Sequence, residues 1–159
     1  FLDSDDYISA NAIELLADAA VQKRPDFVIG NYEVTGARRW APPLSLGTGF
    51  YEGNALVLST YVQGKWYVMA WNKLVSRPLV LQHKLYFQEG IVHEDDLWSF
   101  KLACMSQSMY VVNETTYYYS MQPDSIMRAP SMRNLECRVL VLGYIYDLSG
   151  LPGVCRITG

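Results

Sequence analysis

Long apolar runs are missing from this chain, and so is any surplus of positive charge. The longest hydrophobic stretch, Val139 to Tyr146, falls well short of the roughly 20 residues that cross a bilayer, and it reads as a buried helix. Thirteen Lys and Arg against sixteen Asp and Glu leave a net charge of −3, so no basic face is available for a nucleic-acid backbone. Cysteine is scarce. Cys104, Cys137 and Cys155 include no C-x-x-C pair and no metal-ligand spacing to His83 or His93, which gives neither a disulfide framework nor a zinc site and fits a reducing cytoplasm. Internal repeats, low-complexity tracts and a Gly-rich phosphate loop are also lacking. No leader is visible, and the chain opens on Phe1 rather than Met.

With 159 residues, half of them hydrophobic, the chain is long enough for one domain with its own core. Phe1-Leu2 followed by acids reads as the end of a buried parallel strand, so the chain is expected to begin in mid-fold. Asn11 and Glu14 suggest a capping box, and Ile13, Leu16, Ala17, Ala20 and Val21 supply helical spacing up to Lys23-Arg24-Pro25. Phe27 to Val34 is a strand in which Gly30 marks a bulge. Strand end, helix and strand give α/β order. Residues 35–48 form a loop whose Arg38-Arg39 pair either meets a diphosphate or, the plainer reading, is solvated.

Asn54 to Val62 reads as a short helix, with a strand as the alternative. The cluster Trp66, Tyr67, Met69 and Trp71, three of them aromatic, either fills the core or, at Trp71, offers a flat face to a sugar. A turn at Glu89-Gly90 precedes an amphipathic helix from Glu94, with Leu97, Phe100, Lys101 and Cys104 on one side. Met109 to Val112, a turn at Asn113-Glu114 and Thr115 to Tyr119 suggest a hairpin. Asp124-Ser125-Ile126 follows it, and Leu135 to Leu148 is the last helix, closed by Gly150.

The chemistry is carried by two acidic clusters that hold six of the sixteen acids: Asp3, Asp5 and Asp6, then Glu94, Asp95 and Asp96. Helix dipoles favour acids at a helix start, and turns use Asp freely, so neither cluster is decisive alone. An Asp-x-Asp at the C-terminal end of a parallel strand, however, sits where open α/β sheets bind ligands. Hard oxygen ligands there suit Mg²⁺ or Mn²⁺, with phosphate oxygens completing the shell and the ion neutralising a departing diphosphate. A second carboxylate, not consumed by the metal, is needed to take a proton from an incoming hydroxyl. Asp95 is the candidate, ahead of Glu94 and Asp96. His93, beside this trio, could hydrogen-bond a phosphate or carboxylate.

The order Phe1-Leu2-Asp3-Ser4-Asp5-Asp6, Trp71-Asn72-Lys73-Leu74, Phe87-Gln88-Glu89-Gly90, Glu94-Asp95 and Tyr117-Tyr118-Tyr119 before Ser125-Ile126 resembles family 2 glycosyltransferases of the GT-A fold. The resemblance covers residues 1–128 and leaves 129–159 as a C-terminal helical extension. It implies an α/β, mixed-sheet fold, of which this is the C-terminal, metal and acceptor side, without the N-terminal nucleotide-binding half. It implies metal contacts from Asp5 and Asp3, donor contacts from Asp3, Asp5 and Asp6, and Asp95 as catalytic base. Acceptor contacts would come from Trp71, Lys73, His93 and Glu94. The implied reaction moves a sugar, with inversion, from a nucleoside-diphosphate sugar to a glycan or lipid-linked acceptor, with Mg²⁺ or Mn²⁺ as cofactor. Ser120, Met121 and Gln122 stand where relatives often carry basic residues.

The expected location is cytoplasmic, including the face of a membrane. An unpaired sheet edge at Phe1-Leu2 and neighbouring strands would invite pairing between copies. Two rival readings remain at this point, a saccharide-binding module that uses its aromatics and a metal-dependent phosphoryl-transfer enzyme.

Overall fold

The computed structural model describes residues 1–36, 44–121 and 131–150. Arg38-Arg39, Asp124-Ser125-Ile126 and Cys155 lie outside them. A turn over residues 1–6 leads into β1 (Tyr7–Ile8), α1 (Ala12–Lys23) and β2 (Phe27–Gly36). After these come β3 (Gly49–Glu52), α2 (Asn54–Val62), β4 (Lys73–Val75) and α3 (Arg77–Gln82). The chain continues through α4 (Glu94–Met105), β5 (Ser108–Met121) and α5 (Met132–Ser149). The strands form one mixed sheet in the order β1-β5-β2-β4, with β3 also on β5. Among the described residues only the β2–β5 pair is parallel, and β1, β3 and β4 join antiparallel.

Period-two alternation divides the sheet into two faces. Phe27, Ile29, Met109 and Val111 point into the main core with Val57 and Leu58 of α2 and Trp98, Phe100 and Leu102 of α4. Val28 and Val112 point the other way, onto Leu16 and Ala19 of α1. Helices thus cover both faces. Asn54, at the start of α2, aims Nδ2 at the carbonyls of Ala103 (3.2 Å), Cys104 (2.8 Å) and Ser106 (2.8 Å), closing the C-terminal end of α4. Those carbonyls have no partner inside the helix. Asn54→Ala is therefore expected to lower stability by about 1–2 kcal/mol, measured as a lower urea midpoint at unchanged slope.

Several expectations are met in detail. The α2 boundaries coincide with the segment read as a helix, and the Glu89-Gly90 turn and the acid-headed α4 are present. Arg24 ends α1 in the left-handed conformation (φ 49°), its N–H donating to the Ala20 carbonyl. The pairing of β2 slips on either side of Asn31, immediately after Gly30, as a bulge there requires.

Others are overturned. Residues 109–119 are not a hairpin but part of one continuous strand. Both halves of β5 run parallel to β2, from Phe27↔Met109 to Gly36↔Met121. Asn113 and Glu114 are turn formers with β-branched runs on either side, and they make an outward bulge opposite the slip at Gly30. Phe1 and Leu2 belong to no strand and are exposed, so no sheet edge begins there. Among the described residues the strands at the sheet's margins, β1, β3 and β4, are two, four and three residues long. The Asn11 side chain accepts from Ser9 Oγ (2.9 Å) and makes no cap bond, so the capping box is absent. The buried side of α1 is Ala12, Leu16 and Ala19, while Ile13 and Val21 face outward. The stretch from Val139 to Tyr146 lies on the surface for the most part. In α5, which packs on α4, Cys137 and Val141 are the buried residues, and Val139, Leu140, Leu142 and Tyr146 are exposed. No described helix is long and apolar enough to cross a membrane.

Candidate functional site

The turn at residues 1–6 closes through the Asp6 N–H on the Asp3 carbonyl (3.2 Å). It is tied down at two places. Asp6 accepts from the Tyr117 hydroxyl at Oδ2 (2.6 Å) and from the Ser120 N–H at Oδ1 (2.7 Å), while the Asp3 N–H donates to the Tyr117 hydroxyl (3.2 Å). On the other side the Phe1 ring meets the edges of Phe87 (5.0 Å) and Trp98 (5.6 Å). Trp98 belongs to the first turns of α4, and its indole N–H donates to the Leu85 carbonyl (3.1 Å). The start of the chain is therefore fastened between β5 and the acidic end of α4.

This brings the two acidic clusters together. Asp3, largely exposed, is pushed above the usual carboxylate range by partial burial, then by Asp6 and Asp5, with Glu94 adding to the effect. Asp95 is pushed up to about 6, first by burial and next by Glu94, with Asp3 contributing; the Ala70 N–H and Lys73 pull the other way. Each cluster therefore feels the charge of the other. Asp96 is also raised, by burial first, with His93 and Arg138 opposing. A carboxylate poised near 6 is well matched to taking a proton near neutral pH.

The side chains expected to serve as ligands divide into those that face out and those that do not. Asp3 and Asp5 are exposed, and Glu94 and Asp95 are half-buried at the start of α4. Asp6 has both carboxylate oxygens engaged by β5, so it anchors the turn. His93 takes a left-handed conformation (φ 66°) at the α4 N-cap and accepts from Arg138 Nε of α5 at 3.3 Å. Trp71 is 3% exposed, its indole lying parallel to the Tyr117 ring (4.2 Å, 3°) and edge-on to Tyr32 (4.9 Å), so protein rings fill the space a sugar would need. Lys73 is buried too. Its ammonium donates to the carbonyls of Tyr67 (3.2 Å) and Met69 and lies 4.2 Å from the Tyr67 ring centroid. Burial pulls its pKa well down, opposed by Asp95.

Trp71 and Lys73 thus shape the segment 67–72 from beneath. That segment presents the Ala70 N–H to Asp95 Oδ2 at 3.4 Å. Asn72, left-handed at φ 56°, stitches it to the sheet: its Nδ2 donates to the Asn31 carbonyl (2.9 Å) and its Oδ1 accepts from Thr116 Oγ1 (2.8 Å). Local sequence patterns do not assign Tyr117 and Asn72 these roles. The signals are present, in the tyrosine triplet and in a polar residue between two core formers, but the pairing that gives them meaning spans the chain.

Among the described residues no three His, Cys, Asp or Glu side chains gather closely enough to hold a metal ion by themselves. What the turn offers is two exposed carboxylates, which suits an ion that keeps most of its shell for phosphate oxygens.

No family model matches the chain. It is 26% identical, over an aligned length of 172 residues, to the uncharacterized glycosyltransferase EpsJ of Bacillus subtilis (strain 168), covering 98% of this chain and 48% of that protein. It is 25% identical over 119 residues to the poly(ribitol-phosphate) β-N-acetylglucosaminyltransferase TarP of Staphylococcus aureus (strain N315), covering 74% of this chain and 35% of that one. Among solved structures, S. aureus TarS 1-349 in complex with UDP-GlcNAc matches with a TM-score of 0.72 at 17% identity, over 96% of this chain and 42% of that chain. The complex of the same protein with UDP gives 0.71 at 18% identity, over 96% and 40%. This chain spans less than half the length of each of these proteins. Its curated relatives are glycosyltransferases, and its mixed-sheet α/β fold is that of TarS.

Proposed function

We propose that this chain forms the metal and acceptor side of an inverting, family 2 type glycosyltransferase that uses a nucleoside-diphosphate sugar. The single observation that carries the reading is the meeting of the two clusters: an exposed Asp3/Asp5 pair beside a half-buried Asp95 whose carboxyl sits near 6. The relatives' names and the nucleotides bound by TarS support the same donor class.

Asp5 and Asp3 would hold Mg²⁺ or Mn²⁺, with donor phosphates filling the remaining positions. When bound, the ion supplies neutralisation of the charge that develops on the leaving diphosphate. Asp95 takes the proton of an acceptor hydroxyl. That oxygen forms a bond to the anomeric carbon as the bond from this carbon to the diphosphate oxygen breaks, and the electron pair leaves with the diphosphate. Attack from the opposite side inverts the centre. Glu94 raises the basicity of Asp95 and borders the acceptor, a glycan or a lipid-linked saccharide. The Lys73 ammonium acts through the backbone of 67–72. The burial of Trp66 and Trp71 gives no support to a non-catalytic module built on an aromatic platform.

The test is transfer by the full-length protein from a panel of sugar nucleotides, with Mn²⁺ and with chelator. Glycoside and nucleoside diphosphate are expected to form in equal amounts, to vanish with EDTA and to return with Mn²⁺ or Mg²⁺. Transfer indifferent to chelator rejects the metal assignment. Phosphate transfer without glycoside formation rejects glycosyl transfer.

A further inference from the structure

We propose that Tyr117 is the positioning residue of the acidic turn, its hydroxyl setting where the Asp3 and Asp5 carboxylates stand while its ring links that turn to the segment that carries Asp95. The inference rests on the reading of Asp3 and Asp5 as the metal and donor contacts. Tyr117 lies on β5, is fully buried, and is pinned by the parallel stack on Trp71 at 4.2 Å. Its hydroxyl is used twice, as acceptor for the Asp3 N–H (3.2 Å) and as donor to Asp6 Oδ2 (2.6 Å). The two bonds fall on residues that flank Asp5, so one oxygen atom holds the turn on both sides of Asp5, through the Asp3 backbone and the Asp6 carboxylate. A short turn with two mobile carboxylates would otherwise lose side-chain and backbone freedom whenever it closed on an ion.

The same ring reaches the second cluster through packing. Trp71 directly follows Ala70, whose N–H meets Asp95, and directly precedes Asn72, which is hydrogen-bonded to Thr116 next to Tyr117. A displacement of the phenol therefore moves the ligand turn and the base segment together. Neither Tyr117 nor Trp71 needs to touch substrate for this. Together they hold the distance between the place where the diphosphate departs and the place where the hydroxyl is deprotonated.

The experiment compares wild type with Tyr117→Phe, which keeps the ring and its stack but lacks the hydroxyl. Binding of Mn²⁺ in the presence of UDP is followed by the electron paramagnetic resonance of the free ion, alongside kcat and KM for transfer. Tyr117→Phe is expected to bind Mn²⁺ about tenfold more weakly, the effect of losing a hydrogen bond to a carboxylate. The acid limb of its pH profile should stay where wild type has it, because the stack that supports Asp95 is intact. Asn54→Ala serves as the control for instability, since it weakens the far end of α4 and is expected to leave Mn²⁺ affinity unchanged. Asp5→Ala separates the two hypotheses. If its Mn²⁺ affinity equals wild type, the metal reading falls and the role of Tyr117 falls with it. If Asp5→Ala loses the ion while Tyr117→Phe retains wild-type affinity, or weakens no more than Asn54→Ala, the positioning role alone is overturned.

Discussion

Asp95→Asn is expected to reduce transfer by about a thousandfold, the scale of a lost general base, while leaving sugar-nucleotide binding in place. The amide keeps an oxygen to accept from Ala70 N–H, so the local backbone has no reason to move. The same substitution should make the protein more stable. The carboxyl of Asp95 sits at about 6 in the folded chain against an ordinary value of 3.8. Below about pH 4 both folded and unfolded states hold the proton, and its favourable contribution to folding is fully present. As the pH rises towards 6 the unfolded chain releases the proton first, so folding stability declines through this window and stays lower above it. Asparagine carries no such penalty. At pH 7.5 the variant should exceed wild type by about 1 kcal/mol, a figure reduced for the solvent that reaches the site, and the two should converge near pH 4. In wild type, kcat/KM should fall as the pH drops through about 6. Undiminished turnover by Asp95→Asn would remove Asp95 from the role of base, and a variant less stable than wild type at pH 7.5 would show that its carboxyl is not raised in the folded chain.

Gly30→Ala is expected to be among the most damaging single substitutions in the sheet, at about 3 kcal/mol. A Cβ on Gly30 would stand 2.0 Å from Thr116 Oγ1 and 3.0 Å from both side-chain polar atoms of Asn72. Thr116 is fully buried and has a stiff, branched side chain, so it cannot swing away. Giving way means disturbing its bonds to Asn72 Oδ1 (2.8 Å) and to the Asn31 carbonyl (3.2 Å) in the interior. The backbone of Gly30 is also engaged, its N–H donating to the Asn72 carbonyl (3.2 Å) and its carbonyl accepting from the Tyr67 hydroxyl (2.8 Å). Urea denaturation measures the loss. Thr116→Ala removes the clashing oxygen, so Gly30→Ala with Thr116→Ala should be less destabilised than the sum of the singles. A Gly30→Ala protein with the wild-type midpoint would show that the bulge is not closed in this way.

How much of the fold is legible in the sequence follows the range of the interactions involved. Helices α2 and α4 and the stop at Arg24 depend on neighbours a few residues away, and local patterns reveal them. Gly30 is legible as a bulge because a glycine inside a β-branched run weakens the strand unless the backbone departs there from regular pairing. Asn113-Glu114 reads as a turn because a bulge and a turn use the same polar residues. The difference lies in β2, some eighty positions earlier, which pairs with the segments on both sides. The expected face of α1 is displaced by one position, because alanines at 12 and 19 pack against the sheet where the larger Ile13 and Val21 do not. The two acidic clusters are visible as unusual charge. Their meeting, and the change of Trp71 and Lys73 from expected ligand contacts to supports, depend on packing with β5 that no local pattern encodes.

The tether of the first turn to the last strand also dictates an order of events. Tyr117 and Asp6 lie 111 positions apart, and closing so large a loop is repaid only after the β2–β5 core has formed. Before β5 is in place, residues 1–6 have no anchor, and Trp71, beside the Ala70 N–H that meets Asp95, has no Tyr117 ring to stack on. On the proposed reading of Asp3 and Asp5 as metal contacts, the helical signal should therefore return during refolding before Mn²⁺ affinity does.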